Sequence, residues 1–158
     1  MPHNMDEIDL KILKVLQANG RIPNSELALL VCLSPSQCLR RLRRLENKGV
    51  IRGYVALLDH ASIGLGVQAF VNVTLEKHGR DPAQAFASAI EDWDEILECW
   101  AVTGGSDYLL RVTLPGLNDF SELLMKRLLA LPMVAGVKSN ILLQELKGTT
   151  QLPLNHLT

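Results

Sequence analysis

The stretch Ser34-Pro35-Ser36-Gln37-Cys38-Leu39-Arg40-Arg41-Leu42-Arg43-Arg44-Leu45 sets four arginines among leucines at helical spacing. Arginine bonds guanine edges or phosphate oxygens, and glutamine pairs with adenine. At about 100° per residue, with Ser36 at zero, Arg40 falls near 40°, Arg44 near 80°, Gln37 near 100° and Arg41 near 140°. Cys38, Leu39, Leu42 and Leu45 fall between roughly 180° and 300° on the same projection. One face is apolar and can be held by a core; the other is basic and suited to enter a major groove N-terminus first. Arg43 lies at the edge between them. Ser34, Ser36, Gln37, Arg40, Arg41 and Arg44 are the candidate DNA-binding residues. Arg52, a little further on, reads equally as a phosphate contact or a solvated arginine. Gln37 also carries two readings, because Ser34 and Gln37 have the spacing of a capping box that occupies the glutamine locally.

A helix of this kind needs others to position it. Ile8, Ile12, Leu13 and Leu16 form the stripe of an amphipathic helix, with Asp6 as its cap and Asn19-Gly20 as its stop. A second, short helix fits Asn24 to Val31, with Asn24 as cap and Leu27, Ala28, Leu30 and Val31 as its apolar surface. Ser34 caps the third, Pro35 occupies its first position, and Gly49 closes it after about Lys48. Three helices with a tight turn between the last two make a helix-turn-helix. The following Gly49-to-Asp59 stretch is β-branched and apolar, and reads as a strand or hairpin arm. His60 to Gly66, with two glycines, marks a boundary, dividing the chain into 1–60 and 61–158.

The charge distribution agrees with this division. The 158-residue chain is formally −1, yet residues 1–60 hold nine Lys/Arg against six acids, and residues 61–158 hold seven against eleven. A polyanion partner therefore suits the first part alone. Three cysteines without a CxxC pair argue against a disulfide framework. No apolar run approaches the ~18 residues of a membrane span. The opening MPHNMDEIDL lacks the basic start and apolar core of a secretory signal. The chain reads as cytoplasmic. His3, His60, His78 and His156 are scattered, so no metal site is expected, and no cofactor fingerprint is present.

The second part alternates. Residues 67–75 read as a strand, 81–91 as a helix begun by Pro82, 95–104 and 108–114 as two strands joined by a short turn. Residues 117–131 read as a helix capped by Asn118 or Asp119, and 134–146 as a last strand. The order βαββαβ is that of a ferredoxin-like sandwich, so the fold class is α+β. Phe70 and Val71, Leu109 and Leu110, and Ile141 and Leu142 place apolar side chains on both faces of the sheet. The face without helices is expected to bury itself against another subunit.

The stretches DEIDLKILKVLQANGRIPNSELA, LSPSQCLRRLRRLENKGVIRGYVALLD, ILECWAVTGGSDYLLRV and LPMVAGVKSNILLQELK cover almost the whole chain from Met5 to Lys147. In order and spacing the chain resembles the Lrp/AsnC, or feast/famine, transcriptional regulators. The resemblance implies an N-terminal winged helix-turn-helix and a ferredoxin-like module that senses amino acids. It also implies dimers formed by packed sheets, often assembled into octamers that wrap double-stranded DNA. In that family the effector lies between dimers near the turn that here reads Thr103, Gly104, Gly105, Ser106, Asp107 and Tyr108. A neighbouring subunit adds the helix end with Leu131, Met133 and Val134, and part of the last strand with Asn140 and Leu142.

The residues of the turn suit such a role. Glycines let backbone N–H groups approach a carboxylate, and Asp107 offers an acceptor to an α-ammonium. The same residues also make a plain hairpin turn. Many family members carry an acid directly after the first glycine, where this chain has Gly105. Its absence points to a neutral or apolar amino acid, and leaves open a degenerate pocket. Two other functions compete: a ligand-independent architectural protein that coats DNA, and a haem-pathway decarboxylase of the same two-module architecture. The second has no need of a basic recognition face, and no hydrolase or nucleotide motif is present.

Overall fold

The computed structural model describes residues 5–76 and 81–157; His3 and His78 lie outside them. The chain divides into two compact units, Leu57–Leu146 and a unit that joins Met1–Ala56 to Lys147–Thr158.

The first unit holds three helices: α1 (Glu7–Ala18), α2 (Asn24–Leu30) and α3 (Pro35–Asn47). Asp6 caps α1 in a full capping box, its side chain accepting from the Asp9 N–H while the Asp9 side chain accepts from the Asp6 N–H. Ile12, Leu13, Leu27, Ala28, Val31, Cys38 and Leu45 form the buried core, and Leu42, Val50, Ile51 and Leu154 pack against it. Burying a leucine as fully as Leu27, 1% exposed, is worth about 1.5–3 kcal/mol. The backbone of Pro23, rather than Asn24, forms the cap position of α2. The Asn24 amide instead donates to the Pro35 carbonyl at 2.9 Å, tying the start of α2 to the start of α3. Leu30 faces solvent instead of the core.

The segment 49–59 forms no strand. Its start is held by the Val50 and Ile51 N–H groups, which donate to Leu45, and by the packing of both side chains on the core. Beyond them the segment is exposed, with Tyr54 donating to Glu46 at 3.0 Å. Burial and that acceptor push the Tyr54 phenol up to about 12. The far end of the chain also departs from the expected division. Leu152 exchanges two hydrogen bonds with the Gln17 side chain, at 2.6 and 3.2 Å, and Leu154 joins the first unit's core.

The second unit is a four-stranded antiparallel sheet of β1 (Val67–Leu75), β2 (Ile96–Ala101), β3 (Tyr108–Leu114) and β4 (Val134–Ile141), in the order β2-β3-β1-β4. The helix α4 (Pro82–Ile90) follows β1. The helix α5 (Leu117–Glu122) follows β3 and continues as a π-helical stretch, Leu123–Leu128. This is the ferredoxin-like arrangement. Phe86 and Ile90, with Phe120, Leu123 and Leu128, cover one face of the sheet, where Ala69, Val71, Val73, Leu110 and Val112 lie buried. Gly116 occupies the cap position of α5 ahead of Asn118 and Asp119. The last strand ends at Ile141, short of 146, because β1 begins at Val67: Gln68 accepts the Leu142 N–H and offers β4 its final rung.

The other face of the sheet is mixed rather than apolar. Alternation along the strands puts Phe70, Leu109 and Trp100 there with Gln68, Asn72, Glu98, Arg111, Lys138 and Asn140. Glu98 accepts from Arg111 Nε at 3.0 Å and from Trp100 Nε1 at 3.0 Å. The Trp100 donor, followed by Arg111, holds the Glu98 carboxyl below its ordinary range.

Two helices of the first unit end in the same backbone motif. After α3, the Gly49 N–H donates to Glu46 and the Val50 N–H to Leu45, with Gly49 at φ 69°. After α2, the Cys32 N–H donates to Leu29 and the Leu33 N–H to Ala28, with Cys32 at φ 56°. A left-handed L-residue costs roughly 1–2 kcal/mol, and glycine forfeits about 0.5–1 kcal/mol of backbone entropy. The exposed Cys32 side chain contributes no packing to set against this. Cys32→Gly is therefore expected to stabilise the chain by roughly 0.5–1 kcal/mol. Urea unfolding followed by circular dichroism should show a higher midpoint at unchanged slope.

Candidate nucleic-acid interface and ligand turn

Helix α3 starts as its sequence dictates. The Ser34 side chain accepts from the Gln37 N–H at 3.3 Å and the Ser34 N–H donates to Gln37 Oε1 at 3.4 Å, so the capping box takes up the Gln37 side chain. Ser36 Oγ lies 3.2 Å from Ser34 Oγ. Four arginines follow, and the structure sorts them into two pairs.

Arg41 and Arg44 are turned toward α1. Arg41 donates to Asp6 Oδ2 at 2.6 Å and to Asp9 Oδ1 at 2.9 Å, and Arg44 donates to Asp9 Oδ2. The Asp9 side chain is 0% exposed, and that of Arg41 only 21%. The acids push the Arg41 guanidinium further up, Asp6 first and Asp9 second. The Asp9 N–H, followed by Arg41, holds the Asp6 carboxyl below its ordinary range. Arg41 thus departs from the expected exposed face: at 140° on the helix it sits close enough to the buried side to be claimed by the first turn of α1.

Arg40 and Arg43 stay exposed, and among the described residues neither they nor Lys48 join an ion pair. They line a shallow concave strip with Ser36, Leu39, Arg44, Asn47 and Lys48. The exposed centre of α3 therefore runs along Ser36, Arg40, Arg43 and Asn47. Arg43, Asn47 and Lys48 were missed from sequence, although the i, i+4, i+7, i+11 spacing from Ser36 marks Ser36, Arg40, Arg43 and Asn47 as one stripe. Arg52 is exposed beyond the helix. The strip can offer cations to phosphates, and forks or an amide to base edges.

The turn between β2 and β3 is closed by the Val102 N–H donating to Asp107 and the Asp107 N–H donating to Val73. Gly104 stands at φ 118°, a conformation that L side chains rarely adopt. The N–H groups of Gly104, Gly105 and Ser106 find no acceptor among the described residues. Thr103, Gly104 and Gly105 are exposed. The Asp107 carboxylate is partly committed, since its Oδ2 accepts the Leu75 N–H at 2.7 Å where the β1–β4 register shifts. Tyr108 turns inward, its ring stacked on Phe86 with centroids 5.1 Å apart.

Leu75 also pairs with Val134, and the Glu76 N–H donates to Met133, so residues 131–134 reach the same end of the sheet as the turn. Leu131, Met133 and Val134 are themselves packed in this unit's core. Asn140 and Leu142 lie at the other end of the sheet, exposed, beside Phe70 and Gln68. Within one chain they do not meet the turn.

Comparison with known proteins matches both units. Residues 5–52 match the family model for a winged helix-turn-helix DNA-binding module, and residues 68–152 match that for the Lrp/AsnC ligand binding domain. The leucine-responsive regulatory protein of Escherichia coli K12 is 40% identical over 149 residues, covering 94% of this chain and 91% of that protein. A transcriptional regulator from Neisseria meningitidis, solved as a complex with L-Met, superposes with a TM-score of 0.94 at 47% identity, over 98% of this chain and 99% of that one. An AsnC family regulator from Agrobacterium tumefaciens superposes with a TM-score of 0.89 at 34% identity, over 98% and 100% of the two chains. A helix-turn-helix with an exposed basic strip, joined in sequence to a ferredoxin-like ligand domain, makes this chain a member of the Lrp/AsnC family of transcriptional regulators.

Proposed function

We propose that α3 reads DNA through Ser36, Arg40, Arg43 and Asn47, with Lys48 and Arg52 on phosphates, and that a neutral or apolar amino acid bound at the 103–108 turn controls assembly and binding. The observation that carries this reading is the strip of unpaired cations on a capped helix whose other arginines are neutralised. A bound anion would find charge there and nowhere else on α3. Free N–H groups at Gly104 to Ser106 suit an α-carboxylate, and the remaining Asp107 oxygen suits an α-ammonium. With glycine at position 105 the turn adds no second acid for a cationic side chain. The bound L-Met of the Neisseria regulator makes L-methionine the first effector to try, and the name of the E. coli relative makes L-leucine the second.

The chain acts as a cytoplasmic regulator, not as an enzyme. No helix among the described residues is long and apolar enough to cross a membrane. Phe70, Trp100 and Leu109 on the open sheet face suit a second copy, and Asn140 and Leu142 reach a turn only from another subunit. These features support dimers assembling to octamers. The partial commitment of Asp107 favours one competing reading, a ligand-independent architectural protein. Titration with L-methionine, L-leucine, L-lysine and L-aspartate, read by calorimetry and by gel shift on genomic fragments, separates the two. Binding of a neutral amino acid that alters the shift supports sensing; no heat and no change with any of the four overturns it.

Single substitutions test the parts. Arg40→Ala and Arg43→Ala should each weaken binding to a selected operator by about 1–3 kcal/mol if they reach base edges. Asp107→Ala should destabilise the ligand-free chain by about 1–2 kcal/mol through loss of the Leu75 acceptor, visible in urea unfolding. Asp107→Asn keeps an acceptor for Leu75 and removes the charge. It should leave the fold intact while weakening effector binding roughly ten- to a hundredfold.

A further inference from the structure

Asp9 is a fully buried carboxylate in the first turn of α1, and the core has no need of a charge there. A buried ion is retained only with its partners, because desolvation must be offset by charge-assisted bonds. Asp9 has them in full: Arg41 on Oδ1, and Arg44 with the Asp6 N–H on Oδ2. Asp6 adds a second carboxylate to Arg41. Two acids and two arginines close a neutral cluster between α1 and α3. Arg41 and Arg44 make up half of the positive charge that the four arginines bring to α3, and the cluster cancels it. Arg40, Arg43 and Lys48 are left with theirs.

From this geometry we infer that Asp9 determines specificity: by pairing with Arg41, which it draws inward, and with Arg44, which stays half-exposed on the strip, it neutralises two phosphate-seeking cations and fixes the rotation at which α3 presents Ser36, Arg40, Arg43 and Asn47. The inference rests on the reading of α3 as the DNA-contacting helix, and concerns a residue that touches no DNA. Asp9 is a positioning residue. Phosphate contacts carry affinity without sequence information, so each arginine kept off the backbone lowers binding to all sequences alike. Releasing both should tighten binding to any duplex and blur the preference for one.

The experiment uses the full chain and two duplexes, one recovered by selection from a random library and one of scrambled sequence, each titrated over a range of salt. Arg40→Leu should reduce the salt slope by about one, the signature of one lost phosphate contact. Arg41→Leu should leave it unchanged. Asp9→Asn should steepen the slope by about one to two and tighten binding to the scrambled duplex. The ratio of selected to scrambled affinity should then fall about tenfold. Glu7→Gln removes the same charge two positions away without freeing an arginine, and should leave the ratio where it was. Should Asp9→Asn unfold the first unit by circular dichroism, Asp9→Asn with Arg41→Leu removes both partners of one bond. That variant should steepen the slope by about one through Arg44 alone. The assignment is overturned if Arg41→Leu flattens the slope as Arg40→Leu does, or if a folded Asp9→Asn variant keeps the original slope and ratio. A chain that prefers neither duplex and ignores Arg40→Leu overturns the DNA reading itself, a different result from either of these.

Discussion

A carboxylate taken out of water must be met by hydrogen-bond donors or cations, and in the first unit that demand falls on the junction of α1 and α3. Asp9 is fully buried in the first turn of α1, and its charge is met by Arg41 and Arg44 from α3. Everything that α3 can present outward follows from this pairing. The apolar contacts of Cys38 and Leu45 hold the helix against the core but tolerate small rotations, since dispersion and burial are not directional. The ion cluster is directional. It converts a helix that is merely attached into one whose azimuth is set, and the two capped and Schellman-closed ends fix its length.

The second unit solves a related problem with a backbone group. The register shift near Leu75 leaves an amide needing an acceptor, and Asp107 supplies one from the neighbouring hairpin. One bond therefore links the β2–β3 turn, the end of β1 and, through Leu75 and Val134, the start of β4. The turn that the sequence suggests as a ligand cradle is thus braced by the same side chain that would meet the ligand. Binding there would act on an element already coupled to two other strands, the kind of arrangement through which occupancy can be felt along a sheet.

Much of this was legible from the residues. The three helices, the cap at Ser34, the succession of strands and helices and the mixed α+β plan all follow from apolar period and turn chemistry, which are local. The same local reading placed Arg41 on the fully exposed face of α3 and Asn24 at a cap, and the structure turns both side chains elsewhere for one cause. Arg41 is claimed by an acid more than thirty positions earlier, and the Asn24 amide by a carbonyl at the start of the next helix. Nothing in a helical projection registers a partner on another helix. Residues 49–59 show the converse limit. Their β-branched composition suits a strand, yet a strand needs a partner for its backbone groups, and none lies alongside among the described residues. Arg43 was set at the edge of the basic face, and such a position becomes central once its neighbours are drawn away; Asn47 falls near 20° on the same projection, between Ser36 and Arg40, and was passed over for want of a charge.

The segment beyond Lys147 rejoins the unit formed by the earliest described helices, where Leu154 meets the core and Leu152 is held by Gln17. The DNA-reading unit is therefore discontinuous in sequence, with the entire sensing unit inserted between its parts. During synthesis the chain emerges in order, so α1, α2 and α3 leave the ribosome well before the piece whose Leu154 packs against their core. The sensing unit, continuous in sequence, can close first. The packing of Leu154 on the DNA-reading head, and the hydrogen bonds of Leu152 to Gln17, are therefore added only after the sensor has been made.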